Sequence, residues 1–306
     1  MNVKDHIAQG KSGQTGQLPI DELTRLAAQV RADCVRAVFQ AQGGHLGGPL
    51  SCADLLVALY FDVLSIRPDE PNWPERDRFI ISKGHSAIGL YSTLAARGYF
   101  ERQELLTFDA IDSRLQGHPD MTRLPGIDMS SGSLGQGLSP GIGMALGARL
   151  RGKSWHTWVL LGDGECQEGQ IWEAAFVAAR YKLDNLTAIL DFNRLQQYGW
   201  PGANGERTPP WDPDPAAMEA RWRAFGWHTV SVDGHNMAAI LDAYRQALAH
   251  RGHPTIIVAS TIKGKGVSFM SGAYEWHAKV PTAAELEQAL SELGQTQNGI
   301  DDDAGH

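Results

Sequence analysis

The second half of the chain alternates short apolar runs with stretches of helical spacing. The apolar runs read "TWVLLG", "LTAILDF", "WHTVSVD" and "PTIIVAST", at 157–162, 186–192, 227–233 and 254–261. Strands that alternate with helices pair in parallel, and a parallel sheet is buried by helices on both faces. The pattern therefore predicts an α/β fold, with a doubly wound, mainly parallel sheet and helices on both faces.

Helical and strand patterns fill the rest of the chain. A first strand is expected at 78–82, and Asp21 and Ser51 are placed to start two early helices. The expected helices are 20–40, 51–64, 134–150, 168–183, 216–226 and 237–250. The helix at 134–150 is rich in glycine, and its small residues would permit close backbone approach.

No internal repeat or long linker divides the chain, so a single folded domain is expected over 18–293. The polar segment 1–17 predicts a flexible arm, and the acidic segment 294–306 predicts a frayed tail.

Composition narrows the function classes. The net charge of -8 over 306 residues disfavours nucleic acid as a partner, because phosphate backbones require a basic face. No run approaches the roughly 20 apolar residues of a membrane span. The polar N-terminus lacks an apolar signal core, and the three cysteines lack metal-like spacing. A reducing compartment, the cytoplasm, is the expected location.

The stretch "LLGDGECQEGQIWEAAF" (160–176) places Asp163 between two glycines at a strand end. Ligands of open parallel sheets bind at the carboxyl ends of strands. A carboxylate beside a phosphate group is repulsive unless a cation lies between them, and Mg²⁺ is a natural bridge. Asn193 follows the next strand thirty residues later, and the turn after it offers the carbonyl of Leu195. Both Gly-Asp-Gly and Asn193 also suit ordinary turns, so a structural role stays open.

Four histidines lie in glycine-rich or loop settings: His45, His85, His118 and His277. Imidazole can move protons near neutral pH or donate to phosphates and sugar hydroxyls. A partly buried structural ring is the alternative for each. The stretch "TIKGKGVSF" carries Lys263 and Lys265 after the last strand. It predicts either a flexible basic loop or a lid over a phosphate.

Six motifs together resemble a known family. "GDGECQEGQIWEA" followed by "DFNRLQ" is similar to the thiamine diphosphate motif, which begins with Gly-Asp-Gly and ends at an asparagine. "GGHLGGPLS", "RFIISKGHSAIGLYS", "RLQGHPD", "SSGSLGQGLSPGIGMALG" and "KGKGVSFM" with "EWHAK" resemble, in chain order, the N-terminal half of transketolases. The resemblance covers roughly 20–280 and identifies 18–293 as a diphosphate-binding domain of transketolase type.

The resemblance implies a role for each matching residue. Asp163, Asn193 and the Leu195 carbonyl would bind Mg²⁺ or Ca²⁺, which holds the diphosphate of thiamine diphosphate. His45, His118 and His277 would be catalytic, lining the substrate channel and passing protons. The cofactor would be contacted by His85, Gly132, Leu134, Asp163, Gly164, Glu168, Asp191, Asn193 and His277.

Within that set the implied contacts differ. Gly164, His85 and His277 would reach the diphosphate. Gly132 and Leu134 match positions that contact the aminopyrimidine ring. Glu168 matches a glutamate near the subunit interface, and Asp191 would lie behind the metal ligands.

The implied reaction moves a two-carbon ketol unit from a ketose, or ketose phosphate, to an aldose or its phosphate. Full-length transketolases continue with a pyrimidine-binding and a C-terminal domain, which bring the activating glutamate and the phosphate-binding arginines. The chain therefore resembles one subunit of a split transketolase. It would be active only with a partner chain carrying those domains, in an α2β2 complex. No nucleic acid or membrane is expected as a partner.

Several positions depart from the family pattern. Leu46 follows His45 where proline is usual, and Ala278 follows His277 where glycine is usual. The stretch "QYGWPGANGERTPPW" (197–211) replaces the usual loop beside the cofactor and indicates a specialised sugar substrate. Three alternatives stay open: the α subunit of a 2-oxo acid dehydrogenase, a non-catalytic regulatory subunit that kept the fold, and a deoxyxylulose phosphate synthase.

Overall fold

A five-stranded parallel sheet organises the protein, seen in a computed structural model that describes residues 18–197 and 214–295. Its strands are β1 (Arg78–Ile81), β2 (Thr157–Gly162), β3 (Leu186–Phe192), β4 (His228–Asp233) and β5 (Thr255–Ser260). The strand order is β1-β2-β3-β5-β4, and every neighbouring pair is parallel. All five carboxyl ends therefore meet at one edge.

Helices cover both faces of this sheet. The α-helices are α1 (Ile20–Ala41), α2 (Gly47–Ala58), α3 (Ala87–Arg97), α4 (Leu138–Leu150), α5 (Gly169–Arg180), α6 (Pro215–Ala224), α7 (Met237–Ala249) and α8 (Ala283–Glu292). Short 3₁₀ turns carry site residues at Gly84–Ser86, Gly164–Gln167 and Tyr274–His277. α2 continues as a π-helical turn over Leu59–Val63.

Two apolar cores lie on opposite faces of the sheet because strand residues alternate in direction. Trp158 and Leu160 join the core that also holds α1, α2, α3 and α7. Val159 and Leu161 join the second core, with α4, α5 and α6. The doubly wound α/β prediction is confirmed.

The apolar pattern of each strand matches its place in the sheet. All seven residues of β3 are buried, as expected for the middle strand. β4 lies at an edge, and Val230 is the one buried residue among its six. α4 approaches β2 closely, because a Cβ at Gly141 would lie 2.6 Å from Val159 Cγ2. The expected role of the small residues in this helix is therefore observed.

Several predicted boundaries were wrong at helix starts. α2 begins at Gly47, so Ser51 lies inside the helix and its hydroxyl donates to Gly48 O at 2.8 Å. Asp21 lies in the first turn of α1 but does not cap it, because the N-cap is Pro19. α4 begins only at Leu138, after a turn over 133–136. The predicted arm (1–17) and most of the predicted tail lie outside the described residues.

None of the helices in the described part of the chain combines the length and apolar character needed to cross a bilayer.

Candidate active site

The ends of β2 and β3 bring Asp163 and Asn193 to the same edge of the sheet. Gly162 and Asp191 are paired in register, so the residues after them emerge side by side. Asp163 accepts the backbone N–H of Gly164 at 3.0 Å and of Arg194 at 2.6 Å. The segment carrying Asn193 is thereby hydrogen-bonded directly to the Asp163 carboxylate.

Asp191, two residues before Asn193 in the chain, is fully buried. Lys83 Nζ donates to Asp191 Oδ2 at 2.5 Å, and the hydroxyls of Ser51 and Thr261 also donate to the carboxylate. Burial raises the pKa of Asp191, but the Lys83 ammonium and the hydroxyl donors outweigh it, so the pKa lies below its usual value. Burial likewise opposes the charge of Lys83, yet Asp191 raises the pKa of that lysine. The two charges stabilise each other inside the protein.

Asp191 also orients Asn193. Asn193 Nδ2 donates to Asp191 Oδ2 at 3.2 Å, which directs the amide nitrogen toward the interior. Its Oδ1 accepts the backbone N–H of Leu195 at 3.0 Å. The amide oxygen is therefore on the side of the turn that follows β3.

Lys263 projects from the segment after β5 into the same place. Its Nζ donates to the carbonyls of Leu195 at 3.2 Å and Gln196 at 3.0 Å, and contacts His277 Nδ1 at 3.0 Å. The residue is 2% exposed. Burial, reinforced by the nearby Lys83 charge, lowers the pKa of Lys263 to about 8.

The four histidines singled out in the sequence form one cluster. The ring centroid of His45 lies 5.3 Å from His85, 6.3 Å from His118 and 5.1 Å from His277. The rings of His85 and His277 are 5.1 Å apart. They come from four separate segments, so only the tertiary fold brings them together.

Burial keeps three of these rings neutral. It lowers the pKa of His85 to about 2, with help from Lys83 and His277. It lowers the pKa of His277 to about 3, with help from Lys263. The pKa of His45 is also lowered, by burial and by His118. Because an ammonium only donates, His277 Nδ1 accepts from Lys263 and the ring proton resides on Nε2.

The remaining predicted residues lie at different distances from the cluster. A Cβ on Gly132 would be 3.0 Å from His118 Cδ2, so this glycine borders the histidines. The carbonyl of Leu134 accepts from Gln170 Nε2 at 2.9 Å. Gly164 faces Gln196, while Glu168 is exposed at the N-cap of α5. The structure thus places Gly132 beside the histidine cluster and leaves Glu168 at the surface.

Sequence reasoning missed two buried charged residues. Lys83 directly precedes the Gly84–His85 pair of its motif and lies just beyond the end of β1. Glu165 accepts the backbone N–H of Gly135 at 2.8 Å and of Gly162 at 3.0 Å, and also bonds Ser82. It ties three segments of the site together. The strand-end argument, applied to β1 as to β2 and β3, would have placed Lys83 at this edge but not in contact with Asp191.

The donor chemistry fits a divalent cation and an anionic diphosphate. The Asp163 carboxylate, the Asn193 amide oxygen and the Leu195 carbonyl are hard oxygen donors of the kind that Mg²⁺ prefers. The carbonyls of Leu195 and Gln196 already accept a cationic group, the Lys263 ammonium. No cluster of three or more His, Cys, Asp or Glu side chains within 18–197 and 214–295 could hold a metal. A set with one carboxylate and two neutral oxygens is not such a cluster.

Taken together, the fold and site define a doubly wound protein whose sheet edge carries hard oxygen donors, a buried lysine and a cluster of histidines. The family profile described as "Transketolase, thiamine diphosphate binding domain" matches residues 23–300. The chain belongs to the transketolase family, and the resemblance drawn from its motifs is confirmed.

Relatives of two lengths are similar to the chain. It is 41% identical over 278 residues to one subunit of the apulose-4-phosphate transketolase of Phocaeicola vulgatus, covering 91% of this chain and 96% of that protein. It is 44% identical to the SqwG subunit of the 6-deoxy-6-sulfo-D-fructose transketolase of Clostridium sp., covering 89% and 96%. Human transketolase is 37% identical, with 90% of this chain and 43% of that protein covered.

The fold agrees with solved transketolases. The crystal structure of the Campylobacter jejuni enzyme superposes with a TM-score of 0.83 at 29% identity, covering 92% of this chain and 44% of that one. A Pichia stipitis transketolase variant gives 0.82 at 30% identity, covering 92% and 42%. The chain therefore spans less than half of the length of these enzymes. The matching family profile and the relatives described above carry the transketolase name, rather than that of a 2-oxo acid dehydrogenase or a deoxyxylulose phosphate synthase.

Proposed function

We propose that this chain is the thiamine diphosphate- and Mg²⁺-binding subunit of a two-chain transketolase. The observation that carries the proposal is the meeting of the four-histidine cluster with Lys263 and the Asp163–Asn193 turn at one edge of the sheet. The nearly full coverage of relatives that are themselves named as transketolase subunits supports a separate partner chain.

Asp163, Asn193 and the Leu195 carbonyl would hold the metal, with Gly164 approaching the diphosphate through its backbone. For the metal to reach the Leu195 carbonyl, Lys263 would have to release it. The released ammonium, with His85 and His277, would then donate to the diphosphate. Gly132 and Leu134 would lie against the aminopyrimidine ring, and Glu168 would face the subunit interface. When bound, the cofactor supplies the electron sink for cleavage of the ketose carbon–carbon bond.

His45, His118 and His277 would hold the sugar hydroxyls and move protons. A neutral imidazole can accept a proton from a hydroxyl or donate its own N–H, and burial keeps His45 and His277 in that form. Packing the rings on four segments fixes their mutual geometry, which orients the substrate. The water-poor surroundings strengthen each polar contact made there.

The partner would bring the pyrimidine-binding and C-terminal domains, in an α2β2 complex, and the substrates would be a ketose phosphate and an aldose or their unphosphorylated forms. We further infer that residues 18–293 fold as one diphosphate-binding domain. A cytoplasmic location is supported by the three cysteines, which are free and buried.

The test is native mass spectrometry of the tagged full chain, isolated gently from its own cells with magnesium present. The expected result is two copies of this chain with two of another, carrying thiamine diphosphate, and ketol transfer by that complex alone. Asp163→Ala should lose the cofactor, whereas Asp69→Ala, at an exposed position, should retain it. A complex without cofactor would favour a regulatory role instead, and turnover by the pure chain would contradict the need for a partner.

A further inference from the structure

His235 lies outside the histidine cluster but at the same edge of the sheet, in the turn after β4. Its backbone N–H donates to Asp233 Oδ1 at 2.9 Å, which fixes the turn. Its side chain is only 10% exposed. The ring contacts two other parts of the fold, one through each nitrogen.

On one side the ring meets a buried ion pair. His235 Nδ1 lies 2.8 Å from Asp54 Oδ2. Arg31 binds both oxygens of Asp54 and donates from Nε to Leu50 O at 3.0 Å. The side chains of Arg31 and Asp54 are each 6% exposed, so this pair joins α1 to α2 as a rigid platform.

On the other side the ring receives the backbone N–H of Ile262, at 2.8 Å from Nε2. A backbone amide only donates, so Nε2 must carry a lone pair. The ring proton therefore resides on Nδ1 and is donated to Asp54. Both contacts together require a neutral ring in this one tautomer.

Ile262 directly precedes Lys263. Ile262 is 41% exposed, so burial contributes little to holding this residue in place. Two hydrogen bonds fix the start of the segment instead. The backbone N–H of Ile262 donates to His235, and the Thr261 hydroxyl donates to Asp191. From this start Lys263 reaches His277 and the carbonyl of Leu195.

We propose that His235 is a positioning residue, which fixes the backbone at Ile262 and thereby sets Lys263 against the histidine cluster. The chain of contacts runs from Arg31 through Asp54 and His235 to the segment after β5. Its importance for cofactor binding rests on the proposed function, but the positioning itself does not.

Two substitutions separate the contacts of the ring. His235→Gln keeps an acceptor near the position of Nε2 and loses the Asp54 contact, whereas His235→Asn keeps a donor near Nδ1 and loses the acceptor for Ile262. His253→Gln is the matched control, because His253 bonds Gly226 O at the opposite end of β4.

Hydrogen exchange of the full chain is the first measurement. Loss of a hydrogen bond worth about 1.4 kcal/mol corresponds to roughly tenfold faster exchange. We expect that increase for the peptide containing Ile262 in His235→Asn, little change in His235→Gln, and none in the control. Peptides from β2 and β3 should keep their wild-type rates, which excludes general unfolding. Wild-type exchange at Ile262 in His235→Asn would overturn the proposal, as would a defect found only in His235→Gln.

Amine labelling supplies a second measurement that needs neither cofactor nor partner. Lys263 should be acylated several-fold faster in His235→Asn than in wild type, relative to the accessible Lys153 of the same chain. Unchanged labelling of Lys263 would contradict its positioning through Ile262. In the two-chain enzyme, the same variant should raise the concentration of thiamine diphosphate needed for half-maximal activity more than it lowers kcat.

Discussion

The Asp191 network consists of Asp191 with Lys83, Ser51 and Thr261, which donate to its carboxylate. It adjoins the histidine cluster, yet the charges of the two regions are arranged in opposite ways. Asp191 is surrounded by donors that balance its charge, with Lys83 in direct contact. The histidine cluster gathers imidazoles around Lys263, and burial lowers the pKa of His85, His277 and Lys263. One region is stabilised by its own ion pair, whereas in the other burial disfavours the charged forms of the basic groups.

The difference fits a structural role for the first region and the proposed anion-binding role for the second. A balanced buried pair costs much to break, because the remaining charge is left in a poor solvent. Basic groups with lowered pKa gain from an added anion, because its charge favours their protonated forms. The comparison therefore predicts large stability losses at Asp191 and a strong response to pH at the histidines.

The largest effect is expected for Lys83→Met. It removes the partner of a fully buried carboxylate, and losses of that kind amount to about 3–5 kcal/mol. Urea unfolding of the full chain measures the loss. The control is Lys153→Met, whose partially exposed pair with Glu75 contributes at most about 1 kcal/mol. Equal losses in both variants would mean that the buried pair contributes no more to the free energy of unfolding than the partially exposed pair.

A change of pH should act on the other region. The ordinary histidine pKa is 6.5, whereas folding lowers it to about 2 at His85 and about 3 at His277. Below about pH 6.5 the unfolded chain takes up protons that the folded chain refuses, so the free energy of unfolding falls as pH falls. These two rings alone contribute roughly 2.7 kcal/mol per pH unit near pH 5, and His156, whose pKa burial lowers to about 4, adds to the slope.

Urea unfolding at about pH 7, 6 and 5 tests this slope. Asp191, whose pKa is lowered, loses its contribution only as pH falls below the ordinary carboxylate value of 3.8, so it does not contribute in that window. His85→Gln with His277→Gln should reduce the slope, leaving the smaller dependence that His156 contributes. An unchanged profile in the double variant would assign the pH dependence to other groups.

A smaller loss is expected for Gly48→Ala. The added Cβ would lie 2.8 Å from Ser86 Oγ and 3.6 Å from His85 Nε2. Overpacking of this kind costs about 1–3 kcal/mol, which exceeds the gain in helix propensity. Thermal or urea unfolding measures whether stability falls or rises. A stabilised variant would show that the turn at Gly84–Ser86 moves enough to accommodate the added methyl group.

The smallest effect, of opposite sign, is expected for Gly143→Ala. Nothing lies within 4 Å of the added Cβ, and the residue is inside α4. Alanine loses less conformational freedom than glycine when the chain folds, so the substitution should stabilise the isolated chain by about 0.5–1 kcal/mol. Together with Gly48→Ala it forms a matched pair, and the same unfolding assay should move the two in opposite directions.

Much of the fold follows from the sequence because apolar runs and strand order are local signals. The pattern predicts β3 at its observed residues, and the edge that carries Asp163 and Asn193 follows from the carboxyl-end rule. The start of α2 is missed because "GGPLS" reads as a loop, although packing against α1 and α3 makes it helical. The meeting of His45, His85, His118 and His277 is implied only by family resemblance, because no spacing links them.

Lys83 and His235 show what sequence reasoning lacks. A lysine in a strand-end loop is most often solvated, and only the fold reveals that Asp191 lies 2.5 Å away. From the sequence alone, His235 is predicted to have only a surface or structural role. Its two contacts are with residues 181 and 27 positions away in the chain, which no local pattern connects.

The Asp191 network also bears on when the site can form during folding. Ser51, Lys83 and Thr261 are separated from Asp191 by 140, 108 and 70 positions. Contacts this distant require the closure of long loops, which slows folding. A chain still emerging from the ribosome lacks Thr261 until all five strands have been made, because β5 ends at Ser260. Cofactor binding would therefore select completely folded molecules and stabilise them by mass action.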